Sequence, residues 1–191
     1  MSNTVRNVLK IVEGNRDKLS KYLLNNGIFF QKIIPMPKDL EIEENYDNLM
    51  CLRRYLNEHT ELKGFEKWRG PSNEGDLEIG KRMVTNIVRY GHPTWYEWRL
   101  EHWGCKWDAK NIYKDKNLLI FDTPNSPPKP IIQTLSKMFP QTTFEWYWAE
   151  ENNEFSGATE IKNGNFEELE IKNLYESIWY NEGRLIWPMV R

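Results

Sequence analysis

The chain predicts an α+β fold: an antiparallel sheet with two helices on one face, plus an inserted helical segment. Three observations carry this. With residues 38–93 set aside, period-two and helical-period segments follow the order strand, helix, strand, strand, helix, strand. That is the order of the ferredoxin-like split βαβ unit. The segment set aside has a helical period of its own, and directly after it four of the nine tryptophans fall between residues 94 and 108.

The elements follow in order. Val5, Asn7, Leu9 and Ile11 alternate with Arg6, Val8, Lys10 and Val12, which predicts a strand with a buried face, ended by Gly14-Asn15. Leu19, Tyr22 and Leu23 place a helix over 16–25, stopped at Asn26-Gly27. Phe29, Phe30, Ile33 and Ile34 lead into Pro35-Met36-Pro37, which continues neither a helix nor a central strand. Leu49, Leu52 and Leu56, then Ile79, Met83, Ile87 and Tyr90, predict two inserted helices around a loop at 69–75.

Thr94 and Glu97 form a T-x-x-E capping box, and Gly104 stops a helix of which Trp95, Trp98 and His102 share one face. Trp107 to Lys114 and Leu118 to Asp122 read as a hairpin, Trp107 opening a core strand. Thr123 to Pro128 is a stiff connector, and Ile131, Leu135 and Met138 mark a second amphipathic helix, ended by Pro140. Thr142 to Ala149 predicts an aromatic strand with Phe144, Trp146 and Trp148 on one face and Tyr147 on the other. Phe155 to Ile161 predicts the last strand, followed from about residue 163 by an acidic stretch and a tail with Trp179, Ile186 and Trp187. The expectation is a single domain over 1–191 with a helical insertion at about 38–93 and a C-terminal extension from about 163.

Composition narrows the function classes. Hydrophobic residues are 39%, charged residues 28% and aromatics a high 14%, so aromatic packing replaces part of the aliphatic core. A net charge of −2 argues against nucleic-acid binding through overall charge. Cys51 and Cys105 form neither a disulfide framework nor a metal-ligand spacing. The first residues lack the apolar core of a signal peptide, and no apolar run approaches the roughly 18 residues of a membrane span. A cytoplasmic protein without membrane contact is expected.

Phe30-Gln-Lys-Ile-Ile-Pro-Met-Pro37, Trp103-Gly-Cys-Lys-Trp-Asp-Ala109 and Phe121-Asp-Thr-Pro-Asn-Ser-Pro-Pro128 resemble the three signatures of one family. It is the family of uncharacterised phage and plasmid proteins with a YubB-type ferredoxin-like domain, the Api-like phage proteins. Leu135 to Pro140 and Phe155 to Gly157 resemble its later landmarks, so the similarity spans roughly residues 5 to 160. Cys105 stands where a threonine is common and Asn125 where a tryptophan is common. The resemblance implies the ferredoxin-like fold and a mobile-element origin. It implies no activity and carries over no catalytic residue.

The tryptophan segment is the main candidate site. Read as core, Trp95, Trp98 and Trp103 dock the helix on the sheet. Read as a surface, Trp95, Tyr96, Arg99, His102 and Lys106 are the residues to bind a partner, with Arg99 and Lys106 available to phosphates. His102 and Cys105 invite a dyad or metal reading, but neither an orienting partner nor further ligands stand at the right spacing. The acidic runs read as solvated faces, and no glycine-rich phosphate loop occurs.

Three hypotheses follow. The first is a non-enzymatic mobile-element protein that binds a host or phage macromolecule, a protein partner above all, with counter-defence as one use. The second is a single-stranded nucleic-acid binder, which needs Phe144, Trp146 and Trp148 to face solvent. The third is an enzyme of unknown type centred on His102 and Cys105. No cofactor is expected, and the oligomeric state is left open.

Overall fold

The computed structural model describes residues 3–14, 22, 30–59, 74–115 and 117–179. The helix expected over 16–25 lies outside them except for Tyr22, which is helical and meets the Phe139 ring edge-on at 5.6 Å. Most of the loop expected at 69–75, and Ile186 and Trp187 of the tail, also lie outside them. The chain divides into two compact units: residues 1–35 with 101–191, and residues 36–100.

The first unit is built on six antiparallel strands: β1 (Thr4–Glu13), β2 (Lys110–Asp115), β3 (Leu118–Pro124), β4 (Thr143–Glu150), β5 (Ser156–Lys162) and β6 (Asn165–Glu168). Their spatial order is β2-β3-β1-β4-β5-β6. The first four keep the order of the split βαβ unit, and β5 and β6 widen the sheet beyond β4. The ferredoxin-like expectation therefore holds. The acidic stretch expected beyond 163 contains a strand, β6, and the short helix Leu174–Trp179.

Register divides the strand residues cleanly between two faces. Leu9 stands opposite Leu119 and Trp146, Asn7 opposite Phe121 and Trp148, and Ile11 opposite Phe144. This face carries α1 (Phe30–Ile33), whose Phe30 ring meets Phe121 edge-on at 6.3 Å. Two inserted helices are taken up below as α2 (Tyr46–His59) and α3 (Glu74–Tyr90), and α4 is Trp95–Trp103. Helix α5 (Lys129–Met138) packs against α1 and β5 and buries Ile131, Ile132 and Leu135. It is also tied to the β5–β6 turn, where the Gly164 N–H donates to Ser136 Oγ at 3.1 Å. Phe144 and Trp146 are buried here, as core aromatics must be when a strand has helices over that face.

The opposite face is covered too. Val8, Ile120, Tyr147, Ala149 and Ala158 form a second core with Leu174 and Ile178 of α6 (Leu174–Trp179). Charged residues on this face pair across neighbouring strands. Arg6 donates to Asp122 at 3.1 Å, and Lys10 to Glu145 at 2.9 Å. The Arg6 guanidinium lies 4.2 Å from the Trp179 ring centroid, so α6 also caps this row. The second hypothesis needs Phe144, Trp146 and Trp148 at the surface. Phe144 and Trp146 are instead buried, and Trp148 is half-buried.

The second unit is a helical hairpin of α2 and α3 with the start of α4. The helices cross at Gly80, where an added Cβ would stand 2.3 Å from the Cys51 carbonyl oxygen and 2.5 Å from Tyr55 Cβ. Arg54 pairs with Asp76 between the two helices. Asn86 is buried on α3, its amide donating to the Asp39 and Pro93 carbonyls at 2.8 and 3.1 Å. The inward stripe is thus Gly80, Met83 and Asn86, while the expected core positions Leu49 and Ile87 are exposed.

Candidate functional site

The three sequence signatures meet as a structural knot. Trp103, at the end of α4, is 2% exposed, donates its indole N–H to the Ile34 carbonyl at 2.9 Å and meets Phe30 edge-on at 5.8 Å. Asp108 accepts the Phe30 and Ala109 backbone N–H groups at 3.0 and 2.7 Å. Asn7, fully buried at the centre of β1, donates to Thr123 Oγ1 at 2.9 Å and accepts the Trp146 indole N–H at 3.3 Å. Thr123 passes its own hydrogen to the Ser126 carbonyl, and Ser126 donates to the Gly104 carbonyl. A buried polar group is tolerable when its partners are supplied, and this chain of donors supplies them.

Asn125 and Cys105 both fit this knot. Asn125 has φ +64°, a left-handed conformation that asparagine tolerates better than most side chains. The Cys105 thiol is fully buried and donates to the Trp107 carbonyl at 3.3 Å, the position of a packed side chain. Cys51 is also buried, and burial with the neighbouring Asp76 carboxylate pushes its thiol pKa up. Neither thiol is expected to react with iodoacetamide in the folded protein, and both should react in urea. Mass-spectrometric detection of native Cys105 alkylation would contradict this burial.

The candidate residues separate into groups. Thr94 caps α4 as the sequence predicts: its Oγ1 accepts the Tyr96 N–H at 3.4 Å and its hydroxyl faces Glu97 at 3.2 Å and Glu44 at 2.9 Å. Burial raises the Glu44 pKa, and the Thr94 hydrogen bond partly offsets that rise. On the first turns of α4, Trp95 meets Tyr96 edge-on at 5.6 Å, and the Arg99 guanidinium lies 4.9 Å from the Trp95 centroid. Trp95, Tyr96 and Arg99 are half-buried, and Trp98 is buried. His102, in the other unit, is half-buried.

Lys106 joins a different set of residues. It lines a cleft of about 240 Å³ with Trp107, Lys110, Asn111, Asp122 and Thr4. The expectation that Trp107 opens a core strand is corrected here. Strand β2 starts only at Lys110, and the Trp107 indole is 43% exposed in the loop before it. The backbone explains the difference. Register slips between Lys110 and Tyr113, Asn111 at φ +50° bends the edge strand in a bulge, and the ladder ends at the Lys110–Asp122 pair, short of Trp107. The cleft opens at this bulge. On its floor Asp122 accepts from Arg6 at 3.1 Å and from the Asn111 amide at 3.0 Å. Trp107, Lys110, Asn111 and Asp122 were not sequence candidates. The usable signal was the pair of lysines flanking a tryptophan beyond the Gly104 stop.

Residues 102–184 match the family model of the ferredoxin-like domain in Api92-like protein. They carry a ferredoxin-like domain. A crystal structure of a protein api92 from Yersinia pseudotuberculosis is similar at 13% identity and a TM-score of 0.45, over 90% of this chain and 99% of that one. No curated protein matches the chain. The ferredoxin-like match takes in the cleft residues Lys106, Trp107, Lys110, Asn111 and Asp122, and the helix α6 that covers the second sheet face.

Proposed function

We propose that the chain is a mobile-element protein, of phage or plasmid origin, that acts by binding a protein of its host or element in the cytoplasm. The observation that carries this is the half-exposed Trp107 between Lys106 and Lys110 on the rim of a polar cleft. Tryptophan is among the residues most enriched where protein interfaces concentrate their binding energy. Trp103, Asp108 and Thr123 of the same signatures are spent on the buried knot, whereas Lys106 and Trp107 line this cleft. Host defence factors are the first target class to test, since a mobile element gains from disabling them. Membrane attachment is not part of the reading, and no described helix is long and apolar enough to cross a membrane.

Affinity capture from host cells tests this with the wild type and Trp107→Ala side by side. The expected result is a protein partner retained by the wild type and depleted at least tenfold by the variant, at unchanged thermal stability. An identical set of captured proteins for both would remove the cleft from the account.

A further inference from the structure

We infer that the cleft beside the β2 bulge takes an acidic segment of the partner, a carboxylate between Lys106 and Lys110 with an adjoining apolar side chain against Trp107. This deepens the proposed protein-binding reading and rests on it. Three features of the cleft point to such an occupant.

The first is charge. The chain as a whole is acidic, at −2, yet the cleft is lined by two lysines and a single carboxylate. That carboxylate, Asp122, is already engaged by Arg6 and Asn111, so the cleft presents net positive charge to an incoming group. The second is the apolar wall. Trp107 and Pro124 line the same cleft, and a 43% exposed indole offers a broad surface for one aliphatic or aromatic side chain. The third is the edge. Among the described residues strand β2 is the edge of the sheet, where an extended segment can approach.

The same features disfavour a nucleic-acid strand. A phosphate backbone needs a basic track along its length. Here the positive region is short and bounded: Glu151 sits beside Thr4 at the cleft margin, accepting the Thr4 N–H at 2.9 Å. A carboxylate at that margin repels a continuing row of phosphates and leaves room for an isolated acid.

Fluorescence anisotropy of the full chain with a short fluorescein-labelled peptide of alternating glutamate and leucine tests the inference. Saturable binding is expected, weakened at least tenfold by Lys106→Glu with Lys110→Glu and severalfold by Trp107→Ala. Lys106→Gln with Lys110→Gln should weaken it less than the charge reversal. Lys172→Glu, a change at an exposed lysine outside the cleft lining, should leave affinity unchanged. Thermal unfolding of each variant keeps loss of binding separate from loss of fold. Absence of peptide binding, equal loss with Lys172→Glu, or tighter binding of a labelled single-stranded oligonucleotide would overturn the inference. Should the peptide fail while Trp107→Ala still depletes the captured partner, the acidic occupant is wrong and the protein-binding reading stands. Failure of both removes both.

Discussion

Trp103→Ala is expected to lower the unfolding free energy by about 3–5 kcal/mol, the range for removing a large buried aromatic from a core. The indole is 2% exposed, stacks edge-on against Phe30 and donates to the Ile34 carbonyl. The substitution therefore leaves a cavity and also strips a backbone acceptor of its donor, an added cost of about 1–3 kcal/mol if water does not replace it. Trp103→Phe should recover much of the packing but not the hydrogen bond. Urea unfolding followed by circular dichroism gives the difference directly, and a midpoint unchanged by Trp103→Ala would refute the buried placement. Trp107→Ala, four residues along, should move the midpoint little because its indole is 43% exposed.

The second large effect is expected at Gly104. Its φ of +84° is left-handed, and a Cβ there would lie 2.9 Å from Pro130 Cδ and 3.1 Å from the Pro127 carbonyl oxygen. Alanine in that conformation costs about 1–2 kcal/mol from backbone sterics alone. The contact adds overpacking of about 1–3 kcal/mol, because a proline ring and a backbone carbonyl cannot swing aside as a flexible side chain would. The Gly104 carbonyl accepts the Ser126 hydroxyl, so a backbone shift that relieves the contact also disturbs this bond. Gly91→Ala is the comparison: its φ is +80°, but nothing lies within 4 Å of an added Cβ. It should show the backbone cost without the contact cost, so equal destabilisation of the two variants would show that the packing argument is mistaken.

Much of the fold was legible because local chemistry and tertiary packing agree. Thr94 caps a helix, Gly104 stops it, and the alternation of Phe144, Trp146 and Tyr147 survives as two sheet faces. Where they disagree, the sequence misleads. Strand β6 reads Asn-Phe-Glu-Glu, and only Phe166 is even half-buried, so its charge disguises an edge strand as a solvated tail. Helix α6 is too short for a periodic signal, yet Leu174 and Ile178 close the second face of the sheet.

The candidate site was legible only at one end. Lys106 is expected at a binding surface and lines the cleft, whereas Trp107 is expected to open a core strand and stands in the loop before β2. A bulge one turn later at Asn111 breaks the strand alternation, and a single asparagine with positive φ leaves little trace in a sequence. Asp122 reads only as the last residue of a hairpin strand, and its role on the cleft floor depends on cross-strand pairing with Arg6. Such long-range pairings are invisible to local periodicity.

Hydroxyl-radical footprinting of the folded chain, read tryptophan by tryptophan by mass spectrometry, tests the central division most directly. It measures whether the tryptophan segment splits into a buried knot and one exposed binding residue. Trp107 is expected to oxidise far faster than Trp98, Trp103 or Trp146, which are 5%, 2% and 1% exposed. Oxidation of Trp103 at the rate of Trp107, or protection of Trp107 at the level of Trp146, would contradict the account.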